Sequence, residues 1–342
     1  MTIAAVISSD RALEVTETDC PTPSSGEVSI DVAYCGLCGS DIHFFMDPPE
    51  PMAGHILGHE FSGVISAVAD DVLDWAVGDR VVVLPIDPCG QCPACLSNDD
   101  NAICIAGVFA GPGLGRAGGL ASTVTVPSHM LCSVPGELSL RDAALTEPLA
   151  VAVRAVSHAR VEAGDAVVVI GAGPIGLLCT EALHARGITD ILVVEPNPER
   201  REQALNLGAA VTNPDDAAQE IAGRFPHGPR AAIDCSGHPS VAQQALDFLQ
   251  YGARLVIVGI PTKPSEVLLT SVVLNELTIV GSTAYSRSDF KESLQALASG
   301  KVNRDALITS VVNLDDADAA IRDLASGKSR DVKVLISHAP TP

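Results

Sequence analysis

The segment AVVVIGAGPIG constrains this chain more than any other. Five apolar residues at 166–170 run directly into Gly171, Gly173 and Gly176, and a helical pattern continues from Pro174 and Ile175 to Arg186. A near-continuous apolar strand needs cover on both faces, which places it inside a parallel sheet. The pattern recurs downstream. ILVVE at 191–195 leads into ERREQALNLG, with Gly208 as a helix stop. AAIDCSG, a helix near 239–250, ARLVIVGI and ELTIVGS complete the alternation. Strand and helix in turn specify a doubly wound α/β domain over residues 151–285.

The residues before it read differently. GEVSIDVAY puts Val28, Ile30 and Val32 on one face by strict alternation, and HEFSGVISAVA, GDRVVVLP and ASTVTVP are further short strands. From Ser286 two helical stretches and a last strand, VKVLI, return to this β-rich domain, which therefore comprises 1–150 and 286–342. Two domains suit 342 residues better than one core. Apolar residues at 47% against 18% charged favour a compact chain, and with 3% aromatics its core must be built from Ala, Val, Leu and Ile. A formal net charge of −21 argues against nucleic acid and anionic membrane surfaces as partners and is easiest to reconcile with a neutral or cationic small molecule. The N-terminal MTIAAVISSDRALEV has no basic segment followed by a long apolar run. A cytoplasmic chain is expected, and ten reduced cysteines there call for metal binding.

Gly171, Gly173 and Gly176 form a G-x-G-x-x-G, a weak signal alone. Gly113, Gly115 and Gly118 match it too, with no apolar strand before them and no helix after, and read as a flexible loop. The first match sits between strand and helix, and Glu195 ends the next strand at close to the ~20-residue offset of a dinucleotide site. The glycines allow the turn, the approach of the pyrophosphate and the close helix packing, while the helix N-terminus stabilises the diphosphate. Glu195 would accept hydrogen bonds from ribose hydroxyls and repel a 2′-phosphate, favouring NAD over NADP. Arg200 and Arg201, just downstream, would soften that preference.

CGQCPACLSNDDNAIC brings Cys89, Cys92, Cys95 and Cys104 together as a tetrathiolate zinc site, closed and structural. CGLCGSDIH, residues 35–43, holds a second C-x-x-C with no partner pair nearby. Together with GHILGHE it offers Cys38, His59 and a carboxylate, enough for a catalytic zinc with an open position.

In this order, Cys38-Gly39-Ser40-Asp41-Ile42-His43, Gly58-His59-Glu60, the four-cysteine loop, Gly118-Gly119 and the 171–176 fingerprint resemble the zinc-dependent medium-chain alcohol dehydrogenases along essentially the whole chain. The resemblance implies a GroES-like catalytic domain joined to a Rossmann domain, NAD and two zinc ions per chain, a small alcohol as substrate, and a homodimer or homotetramer. It implies Cys38 and His59 as catalytic zinc ligands, Cys35 as a small buried residue, and Asp41 orienting the imidazole. Ser40 and His43 resemble the proton relay, and Glu60 the acid beside the metal. The region where the family places a further cysteine reads LTEPLAV, which offers Glu147 and resembles the sorbitol, butanediol and threonine dehydrogenase branch. The expected set is Cys38, His59 and Glu147, with Glu60 as an alternate or exchanging ligand. Lys333 matches the position of a basic residue on the cofactor pyrophosphate. The chain departs from the family in having eight residues rather than seven between Cys95 and Cys104, an extra residue placed at the Asp99-Asp100 pair.

Cys20, Cys132, Cys179 and Cys235 lack ligand spacing and read as small buried residues, and His55 reads as loop or pocket wall. Phe44, Phe45, Met52, Phe109 and Tyr285 are candidates for the substrate pocket wall as much as for core. No charged cluster marks a phosphate or amino-acid subsite, so a neutral secondary alcohol, diol or polyol is favoured. The alternatives are an L-threonine or aminopolyol dehydrogenase, a non-catalytic NAD-binding sensor, and a zinc-free quinone reductase.

Overall fold

The computed structural model describes residues 1–19, 22–47, 52–97, 99 and 102–338. Cys20 and Asp100 fall outside them. The chain divides into two compact units: Met1–Pro148, Ser286–Ala298 and Ile308–Pro342 in the first, Leu149–Tyr285 and Ser299–Leu307 in the second.

The first unit is built on a mixed sheet ordered Ile308–Asn313, Lys333–Ser337, Glu27–Gly36, Glu60–Val68, Arg80–Val83, Leu131–Ser133, with Thr123–Pro127 also paired to the central Glu27–Gly36. The central strand carries the alternation seen in the sequence, with Val28, Ile30 and Val32 buried. Its end is the important part. Gly36 lies opposite Glu60 on one neighbour and opposite Leu335 on the other. Strand pairing thus brings Glu60 and the start of Lys333–Ser337 to the point where the chain leaves the sheet at Leu37 and Cys38. An antiparallel hairpin, Thr2–Ile7 with Leu13–Thr18, adds a small second sheet that the sequence reading did not include.

The second unit is a six-stranded, wholly parallel sheet. Its order is Ala210–Thr212, Asp190–Val194, Ala166–Ile170, Ala231–Asp234, Arg254–Ile257, Thr278–Gly281. The order reverses between the first and fourth of these strands in chain order, and such switch points open a crevice at the strands' C-terminal ends. AVVVI is buried at four of its five positions, as a strand covered on both faces must be.

One boundary differs from the sequence expectation. Ser299–Leu307 belongs to the second unit rather than returning with the segment around it. Its Asn303 amide donates to the buried Glu181 carboxylate on helix Pro174–Ala185, and short helix Arg304–Leu307 packs on that helix. Among the described residues no helix is long and apolar enough to cross a membrane.

Candidate functional site

In the first unit, Cys38 is the N-cap of helix Gly39–Met46, in extended backbone at the exit of the central strand. Asp41, fully buried, holds the entry in place: its Oδ2 accepts from the Cys38 amide at 2.9 Å and its Oδ1 from the Gly58 amide at 3.2 Å. Gly58 has φ +95°, and a side chain there would strike the Cys35 sulfur, so glycine is required on both counts. Cys35 is wholly buried, and burial pushes its thiol well above the ordinary range, which leaves it inert.

His59 follows Gly58. Its Nδ1 lies 3.4 Å from Asp41 Oδ1, close enough for attraction but without hydrogen-bond geometry, and its Nε2 lies 3.3 Å from Ser40 Oγ. Burial alone would lower the His59 pKa. The Asp41 carboxylate and Cys38 sulfur instead raise it well above the ordinary imidazole value. For Asp41 burial acts upward, and His59 with the Cys38 and Gly58 amides holds the carboxyl below its usual range. The pocket therefore stabilises positive charge beside Nε2, which is what a cation site requires.

Donor atoms of Cys38, His59 and Glu60 lie within 4.8 Å of one another. Thiolate, imidazole and carboxylate together suit zinc, and Asp41 at Nδ1 is the carboxylate partner that a metal-ligating histidine ordinarily has. Glu147, the expected third ligand, is buried in the first turn of helix Thr146–Ala159 but stands outside this cluster. Glu60 follows His59 directly and opens strand Glu60–Val68, whereas Glu147 arrives on a separate helix, where it adds to the negative field at Lys333.

Lys333 also differs from expectation. It is 4% exposed, and its Nζ donates to Glu60 Oε1 at 2.8 Å, Glu60 Oε2 at 2.7 Å and the Leu37 carbonyl at 3.0 Å. Burial would lower its pKa, but Glu60 beside it raises the value instead. An ammonium whose three hydrogens are so occupied has none left for a pyrophosphate. Gly36 explains the fit, because a Cβ there would collide with the Glu60 carboxylate.

His43 is exposed on the same helix as Ser40. His55 Nε2 donates to the Gly113 carbonyl at 3.2 Å, a loop contact. The 113–118 glycines, expected to be flexible, are packed: a Cβ on Gly113 or Gly118 would strike the Gly58 carbonyl. Phe45 is core, 2% exposed with the Arg322 guanidinium 4.9 Å above its ring, so it forms no pocket wall. Phe44 and Met52 are partly buried against the same core, Phe109 is exposed, and Tyr285 is buried in the second unit.

Cys89, Cys92, Cys95 and Cys104 converge as the spacing predicts, despite the extra residue. Their sulfurs are 3.6 Å apart for 92–95, 3.7 Å for 92–104 and 4.0 Å for 89–95. Four sulfurs around zinc at ~2.3 Å sit about 3.8 Å apart, so the cage fits the ion. The Gln91 and Cys92 amides hold the Cys89 thiol down to about 6, favouring thiolate, while desolvation and the neighbouring thiols push Cys95 up to about 11.

In the second unit the glycine turn is shaped as the motif requires. Gly171 has φ +95° and donates to Val194 O at 2.8 Å. Gly173 faces open space, and Pro174 starts the helix at its first turn. A Cβ on Gly176 would strike the Gly171 carbonyl, so helix and turn close only on glycine. Glu195, 4% exposed, accepts from the Ala172 amide at 2.7 Å and the Asn197 amide at 2.8 Å, which ties two loops at the mouth of the sheet. Gly171, Gly173 and Glu195 line a cavity of about 1080 Å³ with Arg200. Arg201 turns away to the Glu195 and Pro196 carbonyls. Phe225, Ser236 and Phe248 also stand in the cavity wall and were missed in the sequence. The signal for Ser236 was its place just after strand Ala231–Asp234, across the switch point. Cys235, read as unpartnered, donates to Cys179 Sγ at 3.8 Å.

The family model for the alcohol dehydrogenase GroES-like domain matches residues 24–136, and that for zinc-binding dehydrogenase matches 174–299. (R,R)-butanediol dehydrogenase of Bacillus subtilis (strain 168) is 37% identical over 92% of this chain and 94% of its own length. Probable D-xylulose reductase A of Aspergillus terreus is 36% identical over 91% and 90%. A solved structure described as a short chain alcohol dehydrogenase (rspB) from E. coli CFT073, complexed with cofactor NADH, superposes with a TM-score of 0.88 at 29% identity, covering 98% of this chain and 99% of that one.

Proposed function

This chain belongs to the zinc-dependent medium-chain alcohol dehydrogenases, and from that premise we propose that it moves a hydride between a secondary hydroxyl of a small diol or polyol and NAD, giving the ketone. The observation that carries the reading is the convergence of Cys38, His59 and Glu60 beside Ser40, in a pocket whose charges favour a cation. The butanediol and xylulose relatives favour a neutral hydroxylated substrate.

Cys38, His59 and Glu60 would hold a catalytic zinc, with Asp41 fixing the imidazole; Glu147 stands by as the nearby second carboxylate. When bound, that zinc supplies Lewis acidity at the substrate oxygen. Ser40 Oγ, beside His59 Nε2, would take the hydroxyl proton as it gives its own outward, and exposed His43, one turn along the same helix, would hand a proton to solvent. Cys89, Cys92, Cys95 and Cys104 would hold a second, structural zinc, whose thiolates suit a reducing cytoplasm. Gly171, Gly173, Pro174, Ile175 and Gly176 seat the dinucleotide on the helix N-terminus. Glu195 favours NAD over NADP, since it lines the cavity together with Arg200. A homo-oligomer is supported by apolar residues exposed around strand Thr278–Gly281.

The test is NADH formation by the zinc-loaded chain across simple secondary alcohols, 2,3-butanediol, sorbitol, idonate and threonine. Turnover confined to diols or polyols is expected. Threonine as the sole substrate, or no turnover from a chain with zinc bound at Cys38, would sink the reading.

A further inference from the structure

Both oxygens of Glu60 are held by one ammonium, and that ammonium comes from the far end of the chain. Lys333 starts the strand that flanks Glu27–Gly36 on the side away from Glu60, so the sheet's register delivers it to the Glu60 carboxylate past Gly36. We propose that Lys333 is a positioning residue of the catalytic metal centre: it fixes Glu60 as the carboxylate arm and supplies a positive charge that offsets part of the buried negative charge around it. The proposal rests on the reading of Cys38, His59 and Glu60 as ligands.

The argument is one of charge in a buried place. Glu60 and Asp41 have no exposed surface, and Lys333 has almost none. A divalent cation with the Cys38 thiolate and the Glu60 carboxylate is already balanced. Asp41, buried and held below the usual carboxylate range, and Glu147, buried and within electrostatic reach of Lys333, each add one negative charge, and Lys333 cancels one of the two. Uncompensated buried charge is strongly unfavourable, so three buried carboxylates gathered here favour a cation among them. The second effect is on Glu60 itself. A carboxylate that shares both oxygens with an ammonium gives less electron density to a metal, which then stays a stronger Lewis acid. The ammonium also repels the metal directly. Taking the charge away should therefore tighten the metal and weaken its chemistry. A lysine that served packing alone would do the reverse, since its loss would loosen the site.

The experiment uses the full chain loaded with zinc, or with cobalt at the Cys38 site. Cys38→Ser first identifies the metal in question by its loss. In Lys333→Met, zinc release to a chelator should slow about tenfold and the visible bands of the cobalt form should shift. Lys333→Arg, which keeps the charge, should restore both toward the parent chain. In a Glu60→Gln background the slowing should vanish. Release that is unchanged or faster in Lys333→Met would overturn the proposal while leaving the metal assignment intact. Retention of every metal in Cys38→Ser would instead overturn the assignment, and this proposal with it. Should Lys333→Met fail to fold, Lys333→Gln keeps a donor to Glu60 without the charge, and slowed release is again the expected result.

Discussion

His338 shows how much a single part-buried side chain can set. It follows the last strand, donates its backbone amide to Ala33 O at 3.1 Å and its Nε2 hydrogen to Gly119 O at 2.9 Å. Burial lowers its pKa to about 4, with the Gly119 contact opposing only in part. The ring is therefore neutral in the fold, and unfolding releases it to the ordinary value near ~6.5. Above that value it has no effect on the pH dependence of stability. As pH falls through it, the unfolded chain binds the proton and the folded chain does not, so stability is lost. Between pH 7.5 and 5 the loss from this residue is about 2 kcal/mol. Denaturant titrations at the two pH values should show it, and His338→Asn, which keeps a donor for Gly119 O, should remove most of it. An equal pH dependence in the variant would show that His338 is not the group responsible.

At the level of elements, the four-cysteine lobe and the glycine turn were legible because their geometry is local. Cys89, Cys92 and Cys95 span two short steps, and a loop with one extra residue still returns Cys104 to them at small entropic cost. AVVVI followed by glycine and helix is likewise written in consecutive residues. The Cys38, His59 and Glu60 cluster was legible in its residue types and less so in its partners. Glu60 and Lys333 are 273 positions apart, and only the register of three strands brings them together. That is why Lys333 was expected at the cofactor and Glu147 at the metal. Phe45 was ambiguous for a similar reason, since helix Gly39–Met46 buries it against a core drawn from distant strands. The lobe's local character makes its own expectation sharp. Cys104→Ser removes the buried sulfur that accepts from the Cys89 and Gly107 amides. Elemental analysis should then show one metal fewer per chain, and limited proteolysis should open the 89–110 segment. Dinucleotide binding, a property of the second unit, should persist as NADH fluorescence enhancement. Loss of that binding, or an unchanged metal count, would contradict the assignment of the lobe.

For the molecule as a whole, the unsolved surface is the end of the parallel sheet. Thr278–Gly281 is its last strand, and Ile279 is exposed on it. Helix Leu269–Leu274 adjoins in sequence, with Leu269, Val273 and Leu274 each at least 67% exposed. An apolar edge strand beside an apolar helix is a hazard for a chain that works alone. A second copy related by a two-fold axis would resolve the two features together, because edge would then meet edge and each apolar helix would cover its counterpart. The net charge of −21 makes non-specific association costly, so a contact that forms against this repulsion must bury apolar area. Sedimentation should therefore show a dimer or a multiple of one, held more firmly as salt screens the repulsion. Ile279→Lys combined with Val273→Asp places charges on both parts of the surface and should yield monomers that still bind NADH. A monomeric parent chain, or an assembly indifferent to both substitutions, would place the contact elsewhere.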